Sequence, residues 1–559
     1  MANDERRTAN DERRAGSVEP RATSGEERAR NDERTVRSSD RQADGWAGGA
    51  TRVLLISTYE LGRQPFGIAS PAAWLRRDGF DVSVADLSRT RLDPELVRVA
   101  GLVAVFLPMH TATRLSLPVI DRVRDLNPKA HICAYGLYAP PNADLLRARG
   151  AGTILGAEFE ADLVALARRL AGVAEAVKPE RPAGLTASAP TPLFEIRRGL
   201  AKALRATADE GSGESAEASR RRKPRLHNSP EIARLAFIPP DRTGLPPLEQ
   251  YAALEWPDGT RRVVGYTEAS RGCKHVCRHC PVVPIYNGAF RIVAADVVLA
   301  DIRAQVEQGA RHITFGDPDF FNGIGHARHI LERVAREVPG ITYDVTIKIE
   351  HLLRHAADLP LLRDTGCAFV TSAVESVDDA VLARLLKGHT RRDFERAVEL
   401  MQGASVPLVP TFVAFTPWTT LAGYADLLDV IEHLDLVDHV PPVQWAIRLL
   451  IPAGSHLLSL AEVRDLVGPF DPLALAYPWT HPDPKVDALQ KKVAALAGRT
   501  AVSRLETFDA IRSALADVEG MERKSSSPPG AQSRPPRVPY LNEPWYCCAE
   551  PTDGQAALI

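Results

Sequence analysis

The chain has 559 residues, 45% of them hydrophobic, and a formal net charge of −2. That length and apolar content allow at least two buried cores, and the near-zero charge offers no general attraction for nucleic acid or an anionic membrane. No apolar run is long enough to span a bilayer, and the opening MANDERRTANDERR lacks the apolar core of a signal peptide, so a cytoplasmic protein is expected.

Residues 1–48 repeat a short charged unit with almost no large apolar side chains, which predicts a disordered tail. From residue 51 the texture changes. TRVLLIST, FDVSVADL, GLVAVFLP, AHICAYG and GTILG read as strands, with helical stretches such as SPAAWLRRDG and FEADLVALARRLAG between them. This alternation predicts a doubly wound, Rossmann-like α/β domain over 51–171, with ligands beyond the C-terminal strand ends. Residues 172–228 read as a linker closing in RRRKPR.

A second series begins near Arg262. RVVGYTEA, HITFGD, TYDVTIKI, AFVTSAVE, LVPTFVAF and PVQWAIRLL read as strands separated by helices, which predicts a partial (β/α)6 barrel over 236–455 with its chemistry at the C-terminal mouth. Residues 456–516 are expected to be helical. Residues 517–559 are expected to form a flexible linker and a tail, YLNEPWYCCAEPTDGQAALI.

Seven cysteines are present, and three of them fall in GCKHVCRHCP. In a reducing compartment such clustering points to metal or redox chemistry rather than to structural disulfides. Cys273, Cys277 and Cys280 suit one soft metal centre. A zinc site closed by His275 or His279 is the alternative. Cys133 and Cys367 sit inside strand patterns and read as small core residues.

C-x-x-x-C-x-x-C after the first strand of a β/α barrel resembles the radical S-adenosylmethionine (radical SAM) superfamily. The resemblance implies that the three cysteines hold a 4Fe–4S cluster with one iron open to S-adenosylmethionine. It also implies one-electron cleavage to a 5′-deoxyadenosyl radical. Gly316 and Asp317 in ITFGDPDFF stand where the family has a turn that receives the cofactor's amino group. Glu375 in TSAVES, with Ser372 beside it, resembles the segment whose acid contacts the ribose or methionine end. Lys348, Glu350 and Arg448 at strand ends are further cofactor-binding candidates, with ordinary rim ion pairs the other reading. Phe320 and Phe321 are candidates for adenine stacking or for core packing.

A doubly wound domain ahead of such a barrel resembles the cobalamin-binding subclass, and GAEFE looks like that subclass's G-E-x-E stretch. Cobalamin is therefore an expected third cofactor, although the D-x-H-x-x-G cobalt-ligand motif is absent. His110 is a candidate corrin-side residue, with a capping or core role as the other reading. The layout as a whole, with PPDRTGLPPLEQYA, FGDPDFFNG, DVTIKIEHLL and the tail CCAEP, resembles the CUAEP/CCAEP-tail radical SAM proteins. Some members carry selenocysteine at the position of Cys548, which makes Cys547 and Cys548 candidate reactive thiols.

The resulting expectation is a radical SAM enzyme, cobalamin-dependent, that methylates or otherwise modifies an unknown small-molecule or metalloid substrate with the Cys-Cys tail as redox or carrier arm. An electron-donor protein is its expected partner. Modification of its own tail, or a non-catalytic metal or metalloid site, are the alternatives. A linker of about 20 residues gives that arm a reach on the order of 25 Å.

Overall fold

The computed structural model describes residues 51–172, 236–499, 502–520 and 537–543. The expected N-terminal tail, the 172–228 linker beyond Gly172, and Cys547 and Cys548 lie outside the described residues. No helix among those described is long and apolar enough to cross a membrane.

The front domain is a parallel five-stranded sheet of β1 (Val53–Ser57), β2 (Val82–Asp86), β3 (Leu102–Phe106), β4 (His131–Tyr135) and β5 (Thr153–Leu155), in the order β2-β1-β3-β4-β5. β1 and β3 are buried along their whole length, as the unbroken apolar runs VLLIS and LVAVF require of central parallel strands. Helices cover both faces, giving two apolar layers. The strand order reverses between β1 and β3, and a cleft opens beyond their C-terminal ends.

In the second region β7 (Arg261–Thr267), β10 (His312–Phe315), β11 (Thr342–Thr346), β12 (Cys367–Glu375) and β13 (Leu408–Phe412) pair in parallel and in sequence order. This is the expected partial barrel with five full strands. The sixth expected strand is absent. PVQWAIRLL forms a 3-10 turn at Pro442–Trp445 and makes one parallel bridge, Arg448 to Phe415. Pro441 and Pro442 account for this, since proline cannot donate to a ladder. The helical C-terminal region is present, including Pro484–Ala497 and Arg504–Glu519 packed on the barrel core.

Two features extend the expected plan. β6 (Ala253–Glu255) adds antiparallel to β7, and β14 (Tyr540–Leu541) adds antiparallel to β6, so the segment before the tail covers the sheet edge. The first barrel strand also stops at Thr267. β8 (Ser270–Gly272) then pairs with β9 (Phe290–Ile292), so the cysteine loop is the tip of a separate hairpin.

Candidate metal and cofactor site

The hairpin explains the glycine before the first cysteine. Gly272 has φ +78°, and a Cβ there would sit 2.6 Å from the carbonyl oxygen of Ala289, so only glycine fits. The loop it launches is tied down at several points. Cys280 N donates to Cys277 O at 3.2 Å, and Arg278 donates to the Leu385 and Arg384 carbonyls at the end of the helix Asp379–Leu385.

Cys273 and Cys277 are buried, Cys280 is half-buried, and all three thiols are free. Burial pushes the Cys280 thiol up to about 12 and raises that of Cys273, so thiolates here need cations beside them. Two are at hand. Lys348 Nζ lies 3.8 Å from Cys277 Sγ, and the buried Lys387 feels the charge of Cys277 and Cys280. Three free thiols in one short loop, two of them buried and one half-buried, flanked by ammonium groups, fit a thiolate-ligated cluster whose net charge is negative.

Glu375, at the C-terminal end of β12, is the residue that joins this loop to the barrel. It has φ +71°, uncommon for any residue but glycine, and adjoins a register shift in the pairing with β13. Its carboxylate accepts from His279 Nε2 at 3.0 Å and from Lys387 Nζ at 3.3 Å. Burial opposes ionisation, but Lys387 and then His279 outweigh it and hold the carboxyl down at about 2. Glu375 also lines a cavity of ≈390 Å³ at the strand ends, together with Gly316, Asp317, Thr346 and Thr411.

The other predicted residues separate into groups. Gly316 lines the cavity, and a Cβ on it would collide with the Tyr266 hydroxyl. Asp317 also lines it, but its oxygens accept from Ala269 N and Ser270 Oγ, and burial raises its carboxyl to about 7. Lys348 faces the cysteine loop. Glu350 pairs with Arg354 and approaches Lys348 at 3.8 Å. Ser372 is fully buried between the cavity-lining Thr371 and Ala373 and is not itself part of the lining.

Arg448 is committed elsewhere. It pairs with Asp487, donates to Trp479 O and lies over the Trp479 ring, which is a structural role. His110 is also committed. Its Nε2 is 2.6 Å from the Ala474 carbonyl, and burial lowers its pKa to about 4, which matches the core reading. Phe320 and Phe321 are 3% exposed and belong to the barrel core, so packing is their role.

The cleft between the two regions holds residues the sequence did not single out. A cavity of ≈170 Å³ is walled by Phe106, Met109 and Phe159 from the front domain and by Tyr266, Glu268 and Tyr286 from the barrel side. It adjoins the larger cavity through Leu61, Arg63, Gly316 and Pro318, which line both. Arg271, two residues before Cys273, bonds Glu160 and Glu268 at 2.7 Å each, with 8% of its side chain exposed. Tyr286 Oη donates to Glu158 Oε1 at 2.7 Å. The acids of GAEFE therefore grip the base of the cysteine loop. Glu60 faces the same cavity, and burial together with Glu268 raises its carboxyl to about 8.

Residues 267–420, which carry the cysteine loop and the ends of β10 to β13, match the model of the radical SAM superfamily. This stretch is a radical SAM domain. The cofactors of such a domain are a 4Fe–4S cluster and S-adenosylmethionine. The tRNA-2-methylthio-N(6)-dimethylallyladenosine synthase of Desulfosudis oleivorans is 28% identical over 37% of this chain and 46% of its own. The ribosomal protein uS12 methylthiotransferase RimO of Parabacteroides distasonis is 22% identical over 31% of this chain and 42% of its own. The chain thus spans about half the length of the curated relatives it matches.

Among solved structures, the cobalamin-dependent S-adenosylmethionine radical enzyme OxsB, with aqua-cobalamin and S-adenosylmethionine bound, superposes with a TM-score of 0.58 at 13% identity. The match covers 84% of this chain and 72% of that one. The radical SAM methyltransferase TsrM of Kitasatospora setae, with cobalamin and a [4Fe-4S] cluster, gives 0.54 at 16% identity over 86% and 92%. These likenesses extend the shared fold from the radical SAM domain to the front domain.

Proposed function

We propose that this protein is a radical SAM enzyme that reductively cleaves S-adenosylmethionine. The observation that carries the reading is the set of three free cysteines, two buried and one half-buried, at the mouth of a half-barrel, inside the stretch that matches the superfamily. When bound, the cluster supplies the electron that breaks the sulfonium bond. The chain's own residues do the rest. Cys273, Cys277 and Cys280 hold the metal, and Lys348 and Lys387 neutralise their charge. Glu375 fixes the loop against β12 through His279, and the ≈390 Å³ cavity is the room in which S-adenosylmethionine and substrate meet. An electron-donor protein is the proposed partner. The test is anaerobic reconstitution with iron and sulfide, followed by assay of 5′-deoxyadenosine in the presence of reductant.

Cobalamin belongs to the cleft between the two regions. Support comes from its position at the strand-order switch of the front domain, its apolar walls and its continuity with the larger cavity. Phe106, Met109 and Phe159 would face the corrin and Arg63 its amide rim. The cavity of ≈170 Å³ is smaller than a ligand of that size and adjoins the ≈390 Å³ cavity. Absorbance of protein purified anaerobically with hydroxocobalamin supplied is the test. With cobalamin bound, methylation of the substrate is the chemistry proposed.

The tail is proposed to act at this site, as redox or carrier arm or as the modified group itself. The support is the anchor before it. β14 holds Tyr540 and Leu541, and Glu543 accepts from Tyr59 Oη at 3.0 Å and lines the larger cavity. Three residues lie between Glu543 and Cys547, and the four Cα-to-Cα steps reach at most about 14 Å. The tether is therefore short and begins at the cavity wall. Intact-mass analysis after turnover separates the roles: an added mass on Cys547 or Cys548 supports self-modification, and an unchanged mass supports the arm.

A further inference from the structure

We propose that His275, Asp319 and His351 form a second metal site, for a divalent first-row transition cation, beside the cysteine loop. One ligand atom from each residue lies within 4.8 Å of the others. Asp319 Oδ2 is 2.7 Å from His351 Nδ1 and 3.5 Å from His275 Nε2. Each of these atoms is buried, and none meets a partner with good donor geometry. At 2.7 Å a nitrogen and a carboxylate oxygen ordinarily share a proton along a donor axis. Here the close approach lacks that axis, as it does when lone pairs converge on a common point.

The surrounding groups point the same way. The other oxygen of Asp319 is held by the backbone N–H groups of Phe321, at 3.3 Å, and Lys348, at 3.5 Å, which leaves Oδ2 free to ligate. The other nitrogen of His275 faces Glu350 Oε2 at 3.6 Å. A carboxylate behind the distal nitrogen of a ligating histidine fixes its tautomer and raises its basicity. Two imidazoles and one carboxylate suit zinc, iron(II), manganese or cobalt and leave coordination positions open. The three ligands come from the cysteine loop, from the turn after β10 and from the helix Ile349–Arg354, so a bound cation would cross-link the loop to the barrel. Thiols take no part, and Glu350 acquires a supporting role in place of a cofactor contact.

The probe is zinc, with cobalt(II) as its spectroscopic substitute, on the full chain. After anaerobic cluster reconstitution and dialysis against zinc, elemental analysis is expected to find about one zinc per chain in addition to cluster iron. Cys273→Ala/Cys277→Ala/Cys280→Ala is expected to lose the iron and keep the zinc. His351→Ala and Asp319→Asn are expected to lose the zinc and keep the iron, and the retained iron reports that the fold survives. Cobalt in the wild-type protein should show weak d–d bands without intense thiolate charge transfer, a readout that needs no variant. The proposal is overturned if the wild-type chain takes up no zinc beyond its iron. It is equally overturned if zinc follows the cysteines, if it persists in the His351 and Asp319 variants, or if those variants lose iron and zinc together. That last outcome makes the trio a polar brace of the loop.

Discussion

His279 Nε2 donates to Glu375 Oε1 at 3.0 Å, joining the residue before the third cysteine to the residue that ends β12. Lys387, just past the helix Asp379–Leu385, completes the arrangement. The cysteine loop is thus positioned by a buried charged triad as well as by its hairpin. Glu375→Gln leaves Lys387 buried without its counter-charge, a loss of about 3–5 kcal/mol. The expected result is a fall in melting temperature and at least a tenfold loss of S-adenosylmethionine cleavage. Glu375→Gln/Lys387→Met should recover part of the stability and none of the activity, and comparing the double variant with the two single ones checks this.

Arg271 offers a second test of how the two regions are coupled. Its guanidinium meets Glu160 and Glu268 and lies over the Phe66, Phe159 and Phe237 rings. Arg271→Met would strand the buried Glu160 and the half-buried Glu268, again at a cost of about 3–5 kcal/mol. Limited proteolysis and thermal melting should both show the loss. Arg271→Lys should rescue little, because one ammonium cannot serve both acids in the guanidinium's planar fork.

The pH dependence follows from Glu60. Its carboxyl is raised from 4.5 to about 8 in the folded chain, chiefly by burial and then by Glu268. The folded state therefore keeps a proton that the unfolded state has lost, so stability falls as pH rises between those two values. Glu60→Gln should flatten this slope. The difference in melting temperature between variant and wild type should be larger at pH 8 than at pH 5. An equal shift at both values would mean that Glu60 ionises normally.

Much of the fold was legible because the signals were local. Unbroken apolar runs in β1 and β3, and the strand–helix alternation of both regions, announced parallel sheets before any contact was known. The three cysteines stood out as a metal-centre candidate from their spacing. What escaped reading depends on chain segments distant in sequence. Arg271 meets Glu160 across 110 intervening positions, β14 finds β6 from the far end of the chain, and Asp319 meets His275 and His351 only once the barrel has closed. Arg448 misled in the opposite direction. A basic residue after an apolar run looked like a strand-end ligand, but the two prolines before it dissolve the strand and Asp487 takes the charge.

The Tyr59–Glu543 bond makes the tail's starting point testable. Glu543→Ala/Tyr540→Ala should release the segment before Cys547 while leaving iron content unchanged. Alkylation of Cys547 and Cys548 by a bulky maleimide should be at least a few-fold faster than in the wild-type chain. Equal rates would separate the tail from the cavity wall.

The central claim is most directly tested by single-turnover assay of the anaerobically reconstituted full chain with S-adenosylmethionine and reductant. The account predicts 5′-deoxyadenosine from the wild-type protein and none from Cys273→Ala/Cys277→Ala/Cys280→Ala. A wild-type chain that assembles its cluster yet leaves S-adenosylmethionine intact, or one that forms no cluster, would contradict it.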